Sequence, residues 1–168
     1  AFVNIGYEKD AFLHYQDLGP QFLTYKKFLN DTISKKQATS SLKNFEIQKE
    51  INKNGTIDKV IEKDQSVLLQ ITKEPISTKG PRISTQISLT GRFLVLIPFD
   101  KSVSISKKIS NGEEKERLRT LIESIKPEGF GVIIRTVAEG KKVAELHNDM
   151  NQLVQKWETA FKNIRKNK

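Results

Sequence analysis

Few side chains in this sequence are spaced for bond-breaking chemistry. His14 and His147 stand in different halves of the chain, and neither belongs to a ligand-spacing motif. Glu145 and Asp149 lie four residues apart in a stretch of helical periodicity. They would share a helix face and could hold a cation, although a third ligand is not evident and solvated helix acids are the ordinary alternative. Gly140-Lys141 looks like the close of a phosphate loop, but the position five before that glycine is Arg135, so the Walker spacing fails. The absence of cysteine excludes disulfides, thiolate metal ligands and cysteine nucleophiles in this segment. No catalytic residue and no metal ligand is assigned. On its residues alone, the chain is a binding module.

Binding chemistry is better represented. Phe2 and Phe12 fall on two candidate strands that a hairpin could bring together, with both rings on one face. Such a pair can stack nucleobases, each stack contributing roughly 1–3 kcal/mol, or it can be ordinary core. Lys79 is a cation beside Gly80, where backbone can approach a phosphate closely. Arg135-Thr136 ends an apolar run and precedes a Gly/Lys loop. A planar guanidinium and a short hydroxyl suit the oxygens of a terminal phosphate; the competing role is an arginine paired with helix acids.

The elements that must position these residues are short at first and regular later. Residues 1–13 alternate as a hairpin, with Gly6 at the turn. Residues 20–57 read as a polar, partly helical insertion, and Ser66–Thr72 as a strand. Two strand-like runs between Gln86 and Pro98 flank Thr90-Gly91. Ser110 and Glu113 have capping-box spacing before a helix that carries Leu118, Leu121, Ile122 and Ile125, and Pro127 stops it. Phe130–Thr136 reads as a buried strand. Val143, Met150, Trp157 and Ile164 recur every seven residues, interleaved with Leu146, Leu153 and Ala160. One long amphipathic helix packed on its own sheet accounts for this better than a dimerising coiled coil, whose flanking charge code is missing.

Net charge is +9 over 168 residues, and the excess is larger after residue 85 than before it. Excess cation favours polyanionic partners, although six arginines among 29 basic residues also fit a lysine-rich solvated surface. No run approaches the roughly 18 apolar residues of a membrane span. No leader-like layout opens the sequence, and a cytoplasmic protein with no membrane partner is expected.

Three segments, in order, carry a resemblance: AFVNIGYEKDAFLHYQDL at the start, KGPRISTQISLTGRFLVLIP from Lys79, and FGVIIRTVAEGK from Phe130. They resemble the non-catalytic front part of the ribonuclease E/G family, an OB-fold RNA-binding domain joined to a 5′-monophosphate sensor. The resemblance runs from Phe2 to about Trp157 and is poor over 20–57. It implies that Phe2, Phe12 and Lys79 contact single-stranded RNA. It also implies that Arg135 and Thr136 hold the 5′-monophosphate, with backbone at Gly91 and Val95 and with Lys107 at the rim. Asn4 stands where the family commonly has Asp, Lys107 where some members have Arg, and Asp64 where glycine is usual. The family's Mg²⁺-binding aspartate pair and its zinc-binding cysteine pair have no counterpart in these residues.

The expected fold is α+β: a partial OB-type β-barrel over 1–85, then a 5′-sensor unit over 86–168 ending in a long helix. The expected function is RNA binding and 5′-monophosphate sensing within a Mg²⁺-dependent endoribonuclease of RNA processing and decay. This segment is expected to need no cofactor, to be inactive by itself, and to leave self-association to other regions. The alternative is a stand-alone OB-fold RNA-binding protein of translation, and a weaker one a lysine-rich coiled-coil adaptor.

Overall fold

Short apolar runs broken by glycine and polar residues give the first half of the chain only short strands. The computed structural model describes residues 1–76 and 80–166, which fall into two compact units: Ala1–Ser34 with Glu46–Ile87, and Lys35–Phe45 with Ser88–Lys168. The first unit holds one mixed sheet. β1 (Phe2–Val3) pairs antiparallel with β2 (Ala11–Phe12), β2 runs parallel to β4 (Arg82–Ser84), and β3 (Gln70–Lys73) closes the order β1-β2-β4-β3. Ala11, Leu13, Leu18, Phe22 and Ile83 form its buried centre, with Val3, Ile5, Ile57, Val67 and Leu69 packed around them.

The partial OB-type barrel expected here is met only as an open mixed sheet. β1 and β3 are its two edges and do not pair with each other, so no barrel is closed. Closure needs strands long enough to tilt and stagger around a full circle. Strands of two to four residues cannot do this. The strand expected over Ser66–Thr72 is confined to its end, Gln70–Lys73. Within the polar 20–57 stretch, α1 (Phe22–Ile33) buries Phe22, Tyr25, Phe28 and Leu29.

The second unit is more regular because its apolar residues are. β5 (Leu89–Thr90), β6 (Leu94–Pro98), β7 (Val103–Ile105) and β8 (Phe130–Ile134) make a sheet of order β5-β6-β8-β7, with β6 and β8 antiparallel and β7 and β8 parallel. α2 (Gly112–Ile125) contributes Leu118 and Ile122 to the core. Its cap is one residue later than the sequence suggests: Asn111, not Ser110, accepts the Glu114 amide at 3.1 Å. α3 (Val143–Lys166) buries Leu146, Met150, Leu153, Trp157 and Phe161 against β5, β6 and α2. The helix therefore packs on its own sheet.

Trp157 anchors the far end of that core. Its ring meets Phe130 and Phe99 edge-on, at 5.8 and 6.4 Å between centroids, and its indole N–H donates to the Ser40 carbonyl at 2.9 Å. Leu42 is buried beside Gly129, where an added Cβ would lie 2.6 Å from the leucine Cβ. Gly129 also has φ +86°, so both its conformation and its neighbour require glycine.

Candidate functional site

In the first unit, cross-strand register builds a row of side chains. Phe2 pairs with Phe12, Phe12 with Arg82, and Arg82 with Lys73. Regularly paired partners project from one face, which holds for Phe2, Phe12 and Arg82; the register shifts between Ile71 and Lys73, so Lys73 is an exposed neighbour of Arg82 and not a regular member of that row. All four are exposed, Phe2 at 76% and Phe12 at 53%, so neither ring is core. The rings meet edge to face at 5.6 Å, and His14 extends the aromatic group with its centroid 6.4 Å from Phe12. Arg82 is also 3.6 Å from the half-buried Asp17, and the exposure of the guanidinium keeps the energetic weight of the pair small. Two π-faces beside two cations form a surface suited to stacked bases and their phosphates. Lys79 lies outside the described residues.

In the second unit, topology gathers three loops at one end of the sheet. β7 and β8 are parallel, so Ser106-Lys107 and Arg135-Thr136 leave the sheet side by side. β6 is antiparallel to β8, which places its first residue, Leu94, opposite Ile134 at the same end. Arg135 Nη1 donates to the carbonyls of Gly91 at 2.7 Å and Arg92 at 3.1 Å. Its backbone N–H donates to the Phe93 carbonyl at 2.9 Å. Nε and Nη2 have no partner among the described residues and remain available to an anion. The hydroxyls of Thr136 and Ser106 are 2.7 Å apart and hydrogen-bonded. Lys107 is exposed beside Ser106, and Val95 lies one register inside the edge, opposite Ile133. Gly91, Arg135 and Thr136 are thus brought together, Lys107 flanks them, and Val95 is set back.

Arg92, Phe93, Arg135, Val137 and Lys141 line a shallow hollow of about 500 Å³. Arg92 and Lys141 both lie over the Phe93 ring, 5.2 and 5.6 Å from its centroid. Lys141 is placed by its backbone: Glu114 accepts the Gly140 amide at 2.8 Å and two nitrogens of Arg117 at 2.7 Å each, while Arg117 Nη2 donates to the Lys141 carbonyl at 3.1 Å. Hydrogen bonding from Arg117 and the Gly140 amide holds the Glu114 carboxyl down at about 2.

Asp149 overturns one sequence reading. It is buried, not a solvated helix acid, and its carboxylate accepts the amides of Arg92, Phe93 and Leu94 at 2.9–3.0 Å. Glu145 accepts the Lys142 amide at 3.0 Å at the start of α3. The two acids therefore do not converge on a cation, and among the described residues no three His, Asp or Glu side chains could hold a metal. The signal for Asp149 was present, because it falls on the stripe of Leu146, Met150 and Leu153. Arg82, Lys73 and Arg92 join their sites only through register and loop packing, which no local motif reports, whereas Lys141 belongs to the Gly/Lys loop legible after Arg135-Thr136.

A protein-family model described as the Ribonuclease E/G family matches residues 88–168. Ribonuclease E of Synechocystis sp. is 36% identical over 94% of this chain, and ribonuclease E of Nostoc sp. 37% over 94%. Ribonuclease G of Haemophilus influenzae is 34% identical over 94%. The chain spans 20%, 19% and 28% of those relatives' lengths. No described helix is long and apolar enough to cross a membrane.

Proposed function

Because this chain belongs to the ribonuclease E/G family, we propose that it supplies the RNA-binding and 5′-monophosphate-sensing portion of an endoribonuclease of RNA processing and decay. The observation that carries this reading is Arg135. One guanidinium nitrogen is fixed on the carbonyls of Gly91 and Arg92, the other two have no partner among the described residues, and the side chain lines the hollow with Arg92 and Lys141. A 5′-monophosphate, with close to two negative charges near neutral pH, fits such a fork, whereas a hydroxyl end offers it nothing. Lys107 gives the rim a positive charge without the planar two-pronged grip of arginine. A triphosphate brings further charge but also bulk beside a loop already filled by its own hydrogen bonds.

The exposed row of Phe2, Phe12 and Arg82, with Lys73 beside it, supports a second contact with the strand, independent of its end. Bases stack on the rings while cations meet the phosphates. The segment's role is to bind and orient RNA. A catalytic Mg²⁺ does not fit its residues, since Asp149 is engaged by three amides and Glu145 by one. Cutting belongs to other parts of such a protein, in a cytoplasmic setting.

The test compares short single-stranded RNAs that differ only in their 5′ end, at one fixed salt concentration. The expected order places monophosphate above both triphosphate and hydroxyl. Arg135→Ala should flatten that order without loss of helix. Equal affinity for all three ends in the unmutated chain would remove the sensor assignment.

A further inference from the structure

Asp149 is an ionisable group placed inside a core, and its role there extends beyond packing. Its two oxygens accept three consecutive backbone amides, those of Arg92 at 3.0 Å and of Phe93 and Leu94 at 2.9 Å each. The same loop presents its carbonyls the other way. Those of Gly91 and Arg92 accept from Arg135 Nη1, and that of Phe93 accepts from the Arg135 amide. The loop is therefore held with its donors toward α3 and its acceptors toward Arg135. Rotating any of the three peptides from Gly91 to Leu94 would break bonds on both sides. Gly91 completes the arrangement: an added Cβ would lie 2.6 Å from Asp149 Oδ2 and 2.7 Å from Oδ1, well inside contact distance.

We propose that Asp149 is a positioning residue for the phosphate site, fixing the loop from Gly91 to Leu94 that orients the Arg135 guanidinium. This rests on the monophosphate reading given above. A carboxylate is the side chain suited to the task, since it is acceptor-only on both oxygens. Asparagine has nearly the same shape but turns one acceptor into a donor, which would face amides that also donate. The loop amides would lose their anchor, and Arg135 its two fixed carbonyls.

The experiment measures binding of 5′-monophosphate and 5′-hydroxyl versions of one short RNA to the chain and to Asp149→Asn. The ratio of the two affinities should fall by about tenfold, the scale of one missing charged hydrogen bond. Affinity for the hydroxyl-ended RNA should stay unchanged, and amide exchange should accelerate at Arg92, Phe93 and Leu94. Ile122→Val, which only weakens the same core, should leave the ratio intact. If Asp149→Asn does not fold, Gly91→Ala perturbs the contact from the loop side and should lower the same ratio. A folded Asp149→Asn that keeps the full ratio overturns this assignment alone. An unmutated chain with no preference between the ends overturns the monophosphate reading, and this assignment with it.

Discussion

Phe2 and Phe12 meet edge to face across the first strand pair, with centroids 5.6 Å apart and both rings on the solvent side. Rings so exposed add little to the core, so their removal separates binding from stability. Phe12→Ala should weaken single-stranded RNA binding by roughly 1–3 kcal/mol, the usual range for removal of one base stack. Thermal unfolding should shift only slightly. Affinity unchanged in both Phe2→Ala and Phe12→Ala would remove the stacking role.

Arg82 shares that face and Lys73 is exposed beside it across the register shift, and both should act on phosphates, not bases. Substituting either by glutamine should weaken RNA binding equally across sequences. The slope of log affinity against log salt should become shallower by about 0.7 for each single-strand phosphate that the variant no longer neutralises. A salt titration of the two variants reads this directly. Sequence-dependent losses would instead mean that these side chains touch bases.

How far the sequence disclosed this arrangement depends on the range of each interaction. The α3 stripe was legible through Leu146, Met150, Leu153 and Trp157. Its last buried residue is Phe161, not the heptad positions Ala160 or Ile164, and Val143 at the start is 55% exposed. A straight helix has 3.6 residues per turn, so a strict seven-residue count drifts off the buried face. Arg135-Thr136 at a strand end was legible too. Its partners on the Gly91–Leu94 loop were not, since 43 residues separate Arg135 from Arg92. Ser110 and Asn111 offer similar capping chemistry, and only the geometry selects the second. Barrel closure depends on strand length and stagger, which short apolar runs do not encode.

Leu42 makes the stability of the second unit depend on a stretch whose composition looks like loop. It is 2% exposed and lies against Gly129, while the neighbouring Ser40 carbonyl accepts the Trp157 indole N–H. Leu42→Ala should destabilise the unit by about 2–5 kcal/mol, the usual cost of a buried leucine cavity. Denaturant unfolding followed by Trp157 fluorescence reports this change, as Trp157 is the single tryptophan. A shift below about 0.5 kcal/mol would show that residues 35–45 contribute no packing energy.

Glu114 gives the Lys141 loop an acid-labile anchor. Its carboxyl is held at about 2, against an ordinary value near 4.5, first by Arg117 and then by the Gly140 amide. A depressed carboxyl binds its proton more weakly in the folded state than in the unfolded one, so acid favours unfolding. The stabilisation is complete above about pH 4.5 and is lost as pH falls toward 2. Glu114→Gln removes the charge and should lower stability by a constant amount from pH 7 down to about pH 5. The gap between variant and unmutated chain should then close as the pH approaches 2. Because Arg117 also donates to the Lys141 carbonyl, the variant should release that loop first. Faster amide exchange at Gly140 and Lys141 at neutral pH would show this. The decisive measurement is a set of denaturant titrations of both proteins across this range. A difference that stays constant down to pH 2 would mean that the Glu114 charge does not hold the loop.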